Sequence, residues 1–152
     1  MPVHLSKADQ EALLATAAEV TASAGFHADA VAFGARRDKE QGLCAVGVFQ
    51  SFAGGEAEWH FGMLSGRVSR EVMRSFLTLA FHPRFLGLRR VFAPIPESNV
   101  VAQRAALAVG FKFEFRKRGG VAGGEDAIVF SMAPEELGLA AAKAPEPMKH
   151  QF

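Results

Sequence analysis

Two hydrophobic periods follow one another in the middle of this chain, and their order restricts the fold more than any other feature. Residues 43–52 and 56–64 are rich in strand-forming residues, and the Ala-Gly-Gly run at 53–55 is typical of a tight hairpin turn. From residue 69 to 81 the apolar side chains instead recur at the spacing of one helix face. Because a further strand follows that helix, the pattern predicts a mixed sheet with helices packed against it.

The remaining elements complete the α/β class. Ser6 is the expected N-cap of a first helix that runs to about residue 24, and Asn99 is the expected N-cap of a short later helix. Phe111, Phe113 and Phe115 alternate with charged residues, which predicts a half-buried strand. Further strands are predicted at residues 31–36, 90–94 and 127–132. We therefore expect a mixed, mostly antiparallel twisted sheet with helices on both faces.

Length and composition exclude several classes of function. A chain of 152 residues is typical of one domain, which we assign to residues 1–133. The tail at 134–152 is rich in Ala, Pro and Glu, and we expect it to be partly disordered or to dock on a surface. With 17 Lys and Arg against 16 Asp and Glu, the chain has no net field that would hold nucleic acid or an anionic membrane.

Targeting signals and redox chemistry are equally restricted. No apolar run is long enough to span a membrane and no secretory signal pattern is present, so we expect a cytoplasmic protein. The single Cys44 excludes a disulfide framework, and His27 with Asp29 lacks a third ligand for a metal, so no metal site is expected. Since the chain has 14 Phe but no Tyr, any mechanism that needs a phenol is excluded.

Three segments in order resemble the GNAT acyl-CoA N-acyltransferases. Asn99-Val-Val-Ala102, followed by Gly110-Phe111 and then an acidic residue, is similar to the C-terminal signature of that family. Residues 71–81 resemble the helix that follows the family's CoA loop, and residues 87–93 resemble the strand leading to the Asn. The spacing is similar to that of the branch that acetylates ribosomal-protein N-termini, and to that of phage-encoded GNAT-like proteins.

The resemblance implies a GNAT-type fold and acetyl-CoA as co-substrate. The strands at 56–64 and 90–94 would run parallel and splay apart, so that pantetheine pairs with exposed backbone groups. An amide in the stretch 62–64 would polarise the thioester carbonyl, and the loop before the helix at 71–81 would wrap the pyrophosphate. The cofactor-binding residues implied in this way are Gly62, Met63, Leu64, Gly66, Arg67, Val68, Ser69, Arg70 and Asn99.

The loop departs from the family pattern of Gln/Arg-x-x-Gly-x-Gly/Ala. Leu64, Arg67 and Ser69 stand at its three defining positions, so a side chain replaces the Gly that normally lets phosphate approach the backbone. Two interpretations stay open. Arg67 and Arg70 could bind phosphate through charge-assisted hydrogen bonds, or they could form an exposed basic edge on a domain that does not bind CoA.

Glu58 and His60 lie on the same face of one predicted strand, where the family often places its base. Either could deprotonate an amine, with His60 better matched to neutral pH, or both could belong to a solvated strand face. Many relatives carry a Tyr as general acid where this chain has Ala106, so Ser98 or a water would have to serve.

The function implied is transfer of an acetyl group to a primary amine, a protein N-terminus or a small amine, by direct attack in a ternary complex. An α-amine is the more economical acceptor, because its pKa of about 7.7–8.0 leaves part of it neutral, unlike Lys at about 10.4. The fold is compatible with a homodimer. The alternative is a non-catalytic GNAT-like binding or structural module, phage or prophage encoded, with a degenerate CoA loop.

Overall fold

A computed structural model describes residues 3–23, 25–38, 41–121 and 123–137. The helices in this part of the chain are α1 (Gln10–Val20), α2 (Arg70–Phe81), α3 (Val100–Val109) and a 3₁₀ turn at Pro134–Leu137. The strands are β1 (His4–Ser6), β2 (Val31–Arg36), β3 (Ala45–Ala53), β4 (Glu56–Met63), β5 (Arg90–Pro96), β6 (Lys112–Lys117) and β7 (Ala127–Met132).

The described strands form one sheet in the order β1-β2-β3-β4-β5-β7-β6. Strands β4 and β5 pair in parallel, and every other neighbouring pair is antiparallel. Parallel neighbours need a crossover connection, and α2 supplies it between β4 and β5. The predicted mixed, mostly antiparallel sheet is confirmed.

Helices pack on both faces of the sheet, as predicted. On one face, Leu13 and Ala17 of α1 join a cluster with three residues of β2 and β3: Ala32, Val46 and Val48. On the other face, α2 and α3 cover the larger core, in which Phe76 is fully buried. Gly62 permits this close packing, since a Cβ at that position would clash with Val20 of α1.

The start of α1 differs from the prediction. Ser6 lies in β1, paired with Gly34, so its backbone is extended and it does not cap the helix. The N-cap is Asp9, which adopts a left-handed conformation (φ 64°) and whose carboxylate accepts a hydrogen bond from the Ala12 amide. The helix ends at Val20 rather than near residue 24. Strand β1 has only three residues, which are too few to show an alternating pattern in the sequence.

Strand β6 is not half-buried, so that prediction is wrong. All six of its residues are exposed, with Phe113 at 59% and Phe115 at 47%, although Phe111 just before the strand is buried. The register with β7 shifts between Phe113 and Phe115. This bulge turns the two rings to opposite faces of an edge strand, because one extra residue reverses the alternation.

The described chain ends against the core. Leu137 is buried, and Arg74 of α2 donates a hydrogen bond to its carbonyl. The predicted disorder or docking of the tail concerns residues beyond 137 and lies outside the described part of the chain. Within the described residues, no helix combines the length and the apolar character that crossing a lipid bilayer requires.

Candidate active site

Strands β4 and β5 stay together for only part of their length. Three residue pairs join them, Glu56 with Arg90, Ala57 with Val91, and Glu58 with Phe92. Beyond these pairs β4 continues to Met63 along β3, while β5 continues to Pro96 along β7. The sheet therefore opens between two neighbouring parallel strands, as the resemblance implied.

Pro94 explains where the ladder ends. The Glu97 amide donates to the Asp126 carbonyl, which continues the β5–β7 pairing. Because backbone groups alternate in direction along a strand, the odd-numbered residues of β5 bond to β7 and the even-numbered residues point their N–H and C=O groups towards β4. Pro94 is the next even residue after Phe92, and it has no N–H to donate to β4. Pro94 therefore removes the next hydrogen bond of the ladder, a consequence that the sequence analysis did not draw although it placed this residue in a strand.

The same alternation identifies the backbone groups that β4 exposes to the opening. The Leu64 N–H donates to the Cys44 carbonyl, which continues the β3–β4 pairing by one step. The N–H groups of the odd residues of β4 consequently point towards β5, and those of Phe61 and Met63 lie past the last residue pair that joins the two strands. Of the stretch 62–64 predicted to polarise a thioester, Met63 carries the outward amide, whereas the Leu64 amide is already used.

The loop that follows β4 is exposed from Leu64 to Val68. Gly66 has positive φ (80°) and nothing within 4 Å of where its Cβ would be. Ser69 caps α2, its hydroxyl accepting from the Val72 amide. Arg67 and Arg70 are exposed and make no hydrogen bond or ion pair with another described residue. This loop therefore combines two free guanidinium groups with the positive end of a helix, an arrangement suited to an anion.

Glu58 and His60 form a contact pair on the α1 face of β4. His60 Nε2 lies 3.1 Å from Glu58 Oε1, and the two side chains are 24% and 36% exposed. This hydrogen bond is the main cause that lowers the pKa of Glu58 below its ordinary value, and burial opposes it. A carboxylate stabilised as the anion is a weaker base, so the pair favours the imidazole as the proton acceptor.

Gln50 is the residue at this site that the sequence analysis missed. It is only 5% exposed, pairs with Glu58 across the β3–β4 ladder, and places its Nε2 3.4 Å from both Glu58 Oε1 and His60 Nε2. The ring of Phe26 contacts His60 edge-on, with centroids 5.8 Å apart. A buried polar residue opposite Glu58 could have been found only once the strand register was known.

The loop between α1 and β2 is tied to a bulge in β3. Asp29 accepts from the amides of Ser51 and Phe52, and His27 Nδ1 lies 2.8 Å from Ser51 Oγ. These two amides are the main causes that lower the pKa of Asp29. Ser51 has a positive φ of 59°, which costs free energy for a residue with a Cβ and which these bonds offset. The loop that contains His27 and Asp29 thus forms a brace, a set of hydrogen bonds that holds the bulge of the strand carrying Gln50.

Ser98 and Asn99 follow the end of β5, whereas Glu58 pairs with Phe92 near the start of that strand. The two residues are therefore separated from Glu58 by most of the length of β5. Asn99 Oδ1 accepts from the Ala102 amide as the N-cap of α3. The Ser98 amide donates to Glu125, and the Ser98 hydroxyl is the main cause that lowers the pKa of that carboxyl. Ala106 is buried in helix packing. Among the described residues, no cluster of His, Cys, Asp and Glu could hold a metal ion.

The sequence matches no family model and no curated protein. Solved structures match the fold. A spermidine N-acetyltransferase chimaera of Vibrio cholerae SpeG and hSSAT is 12% identical, with a TM-score of 0.72 over 90% of this chain and 99% of that chain. Mycobacterium smegmatis RimJ, solved in complex with CoA-disulfide, is 19% identical with a TM-score of 0.61, covering 76% of this chain and 58% of that chain.

Ribosomal-protein-S5-alanine acetyltransferase from Vibrio fischeri is 16% identical, with a TM-score of 0.59 over 72% of this chain and 64% of that chain. The present chain thus spans less than two thirds of the length of these last two neighbours. The sheet order, the parallel β4–β5 pair and the shared architecture define the GNAT acetyltransferase fold. The neighbours include ribosomal-protein acetyltransferases, the branch that the sequence resembles.

Proposed function

We propose that this protein is an acetyl-CoA-dependent N-acetyltransferase that moves the acetyl group to a primary amine by direct attack in a ternary complex. The observation that carries the proposal is the parting of β4 and β5 after Phe92. It places the amides of Phe61 and Met63 past the last residue pair with β5, near the end of a strand that leads to the two exposed arginines Arg67 and Arg70.

The residues present fit acetyl-CoA. The pantetheine arm carries amide groups that can pair with the outward N–H and C=O groups of β4 as a further strand would. Its phosphates fit Arg67, Arg70 and the N-terminal turn of α2, since guanidinium groups form charge-assisted hydrogen bonds to phosphate. Asn99 keeps its Nδ2 as a donor, because the cap of α3 uses only Oδ1. Gly66, Val68 and Ser69 complete the loop.

The catalytic roles follow from the Glu58–His60 pair. His60 accepts a proton from the incoming amine, and Glu58 stabilises the imidazolium that results. The Met63 amide is the candidate donor to the thioester carbonyl. Ser98 or a water protonates the departing thiolate; because a thiol pKa is about 8.5, this step needs little acid assistance near neutral pH. The acceptor is an α-amine, such as a protein N-terminus, since a fraction of it is already neutral.

Binding is tested first, by thermal-shift titration with acetyl-CoA. Ligand at 100 times its dissociation constant stabilises by about 2.7 kcal/mol. Arg67→Ala and Arg70→Ala should each weaken acetyl-CoA binding about tenfold, since each removes about 1.5 kcal/mol of charge-assisted bonding. Neither should change the affinity for acetyl-pantetheine, which lacks the pyrophosphate. Arg104→Ala, an exposed cation on α3, is the matched control. Absence of any shift at millimolar CoA would refute the enzymatic function and favour the non-catalytic module.

Turnover is tested with acetyl-CoA and short peptides that carry either a free N-terminus or a single Lys with the N-terminus blocked. We expect transfer to the free α-amine, and His60→Gln should lower kcat/KM by about 100-fold. Equal rates for His60→Gln and the unchanged protein would contradict its role as the base. Preference for the Lys peptide would contradict the proposed acceptor.

A further inference from the structure

The orientation of the Gln50 amide is decided by a backbone donor. Its Oε1 lies 2.7 Å from the His27 amide nitrogen, and a backbone N–H can only donate, so the atom facing His27 must be the oxygen. The NH₂ group of Gln50 therefore faces Glu58 and His60, at 3.4 Å from each. Since Gln50 is buried, the strand pair and the α1–β2 loop hold this arrangement together.

The shorter contact, with Glu58, decides which nitrogen of His60 carries the proton. Two atoms with lone pairs do not approach to 3.1 Å without a hydrogen between them, and Glu58 Oε1 is a carboxylate oxygen. Nε2 of His60 must then be the protonated nitrogen in the neutral ring. Its lone pair lies on Nδ1, which makes no hydrogen bond to another described residue, while the side chain is 24% exposed.

We propose that Gln50 is a positioning residue that, together with Glu58, holds neutral His60 as the Nε2–H tautomer, so that Nδ1 is the atom that accepts the proton of the amine. This rests on the proposed function. Gln50 acts through Glu58: its amide donates to Glu58 Oε1 and keeps that carboxylate aimed at Nε2. The 3.4 Å contact between the Gln50 NH₂ and Nε2–H joins two donors and is not a hydrogen bond in this tautomer. In other proteins, a carboxylate that accepts a hydrogen bond from one ring nitrogen of a histidine selects the tautomer in the same way.

The proton balance of the step is simple. The amine loses one proton to Nδ1, its nitrogen gains the acyl group, and the thiolate leaves with the electron pair of the broken C–S bond. The imidazolium formed carries N–H on both nitrogens, and Glu58 balances its charge. The titratable group in contact with His60 is Glu58 on β4, and Glu58 also interacts electrostatically with His27 of the α1–β2 loop, which is held by Ser51.

The first test reads the tautomer directly. Long-range ¹H–¹⁵N correlation spectra of the full chain, recorded where the ring is neutral and assigned with His60→Gln, should show Nε2 protonated and Nδ1 unprotonated. Gln50→Met keeps the length of the side chain but removes its donor and acceptor, and should populate both tautomers. Gln41→Met, at an exposed position, should leave the spectrum unchanged. A protonated Nδ1 in the unchanged protein overturns the proposal.

If Gln50→Met does not fold, Glu58→Met tests the same contact, since it removes both acceptor oxygens while keeping the length of the side chain. It should also mix the tautomers, and an unaltered Nε2–H population would overturn the proposal. In turnover, Gln50→Met should lower kcat about tenfold with the KM for the amine unchanged, because it disturbs the base and not the binding. Unchanged kcat refutes the positioning role. Should no acetyl transfer occur at all, the proposed function fails, whereas the tautomer is still decided by the spectra.

Discussion

Phe111 and Phe113 occupy equivalent positions in one alternating run, yet Phe111 is 2% exposed and Phe113 is 59% exposed. Alternation in a sequence states which side chains share a face, not whether anything covers that face. Phe111 precedes β6 and stacks on Trp59, with ring centroids 6.0 Å apart, whereas Phe113 belongs to the edge strand itself. The contribution of each ring to stability therefore depends on its cover and not on its chemistry.

These two residues should respond very differently to truncation. Phe111→Ala should reduce the free energy of unfolding by about 3–5 kcal/mol, because it removes a ring from the core. Phe113→Ala should change it by about 0.5 kcal/mol or less, since most of that ring stays in water in the folded state. Urea denaturation of the two variants and the unchanged protein measures both values. Equal losses would mean that β6 is covered in solution.

At the scale of elements, the position of Gln50 depends on the brace, whose hydrogen bonds are formed by residues outside the Glu58–His60 pair. The loop from α1 to β2 holds the bulge of β3 through Asp29 and His27, and the same bulge follows Gln50 directly in the chain. Bulges beside reactive groups commonly redirect a side chain. Here the brace places Gln50 against His27 on one side and against the Glu58–His60 pair on the other.

Asp29→Asn should destabilise the protein more near neutral pH than in acid. The backbone amides of Ser51 and Phe52 lower the folded-state pKa of Asp29, so its stabilisation is complete above the unfolded-state pKa and is lost as pH falls through the folded one. Urea titrations at pH 7 and pH 3 should thus show a larger difference between the two proteins at pH 7 than at pH 3. Glu19→Gln, an exposed carboxylate on α1, is the control and should differ at neither pH. A difference of the same size at both pH values would contradict the charge-dependent brace.

At the scale of the whole molecule, one side of the sheet, β1 to β4, joins the other, β5 to β7, through three parallel residue pairs and the α2 crossover. A ligand that pairs with β4 past Glu58 adds backbone hydrogen bonds where the ladder has none. Binding would then be visible as protection of particular amides and not only as a gain in overall stability.

Amide hydrogen exchange resolves this residue by residue. The amides of Phe61 and Met63 should exchange at least tenfold more slowly with saturating acetyl-CoA than in the free protein, because the ligand would supply them with an acceptor. The Leu64 amide, which donates to Cys44 O at 2.8 Å, should be protected in both states and serves as the internal control. Fast exchange at Phe61 and Met63 in the presence of bound acetyl-CoA would contradict strand-like pairing.

Local signals in the sequence were sufficient for most of the elements. The helical period of 69–81, the Ala-Gly-Gly turn and the Asn99 cap each act within a few residues, so α2, the β3–β4 hairpin and α3 were predicted close to their bounds. Pro94 belongs to this class as well, because the lack of an N–H is a property of the residue alone. Strand β1 and the start of α1 were missed, since a three-residue strand is defined by its partner Gly34 and not by its own pattern.

The sequence by itself determined where the chain turns, which segments are helices or strands and which residues cap two of the helices, because those depend on one residue or on a short period. Only the tertiary structure decided that Gln50 meets Glu58 and His60, and that the rings of β6 remain in water. Contacts across strands depend on register, and cover depends on what packs above a strand. Both are set by residues far apart in the chain, whose meeting no local pattern specifies.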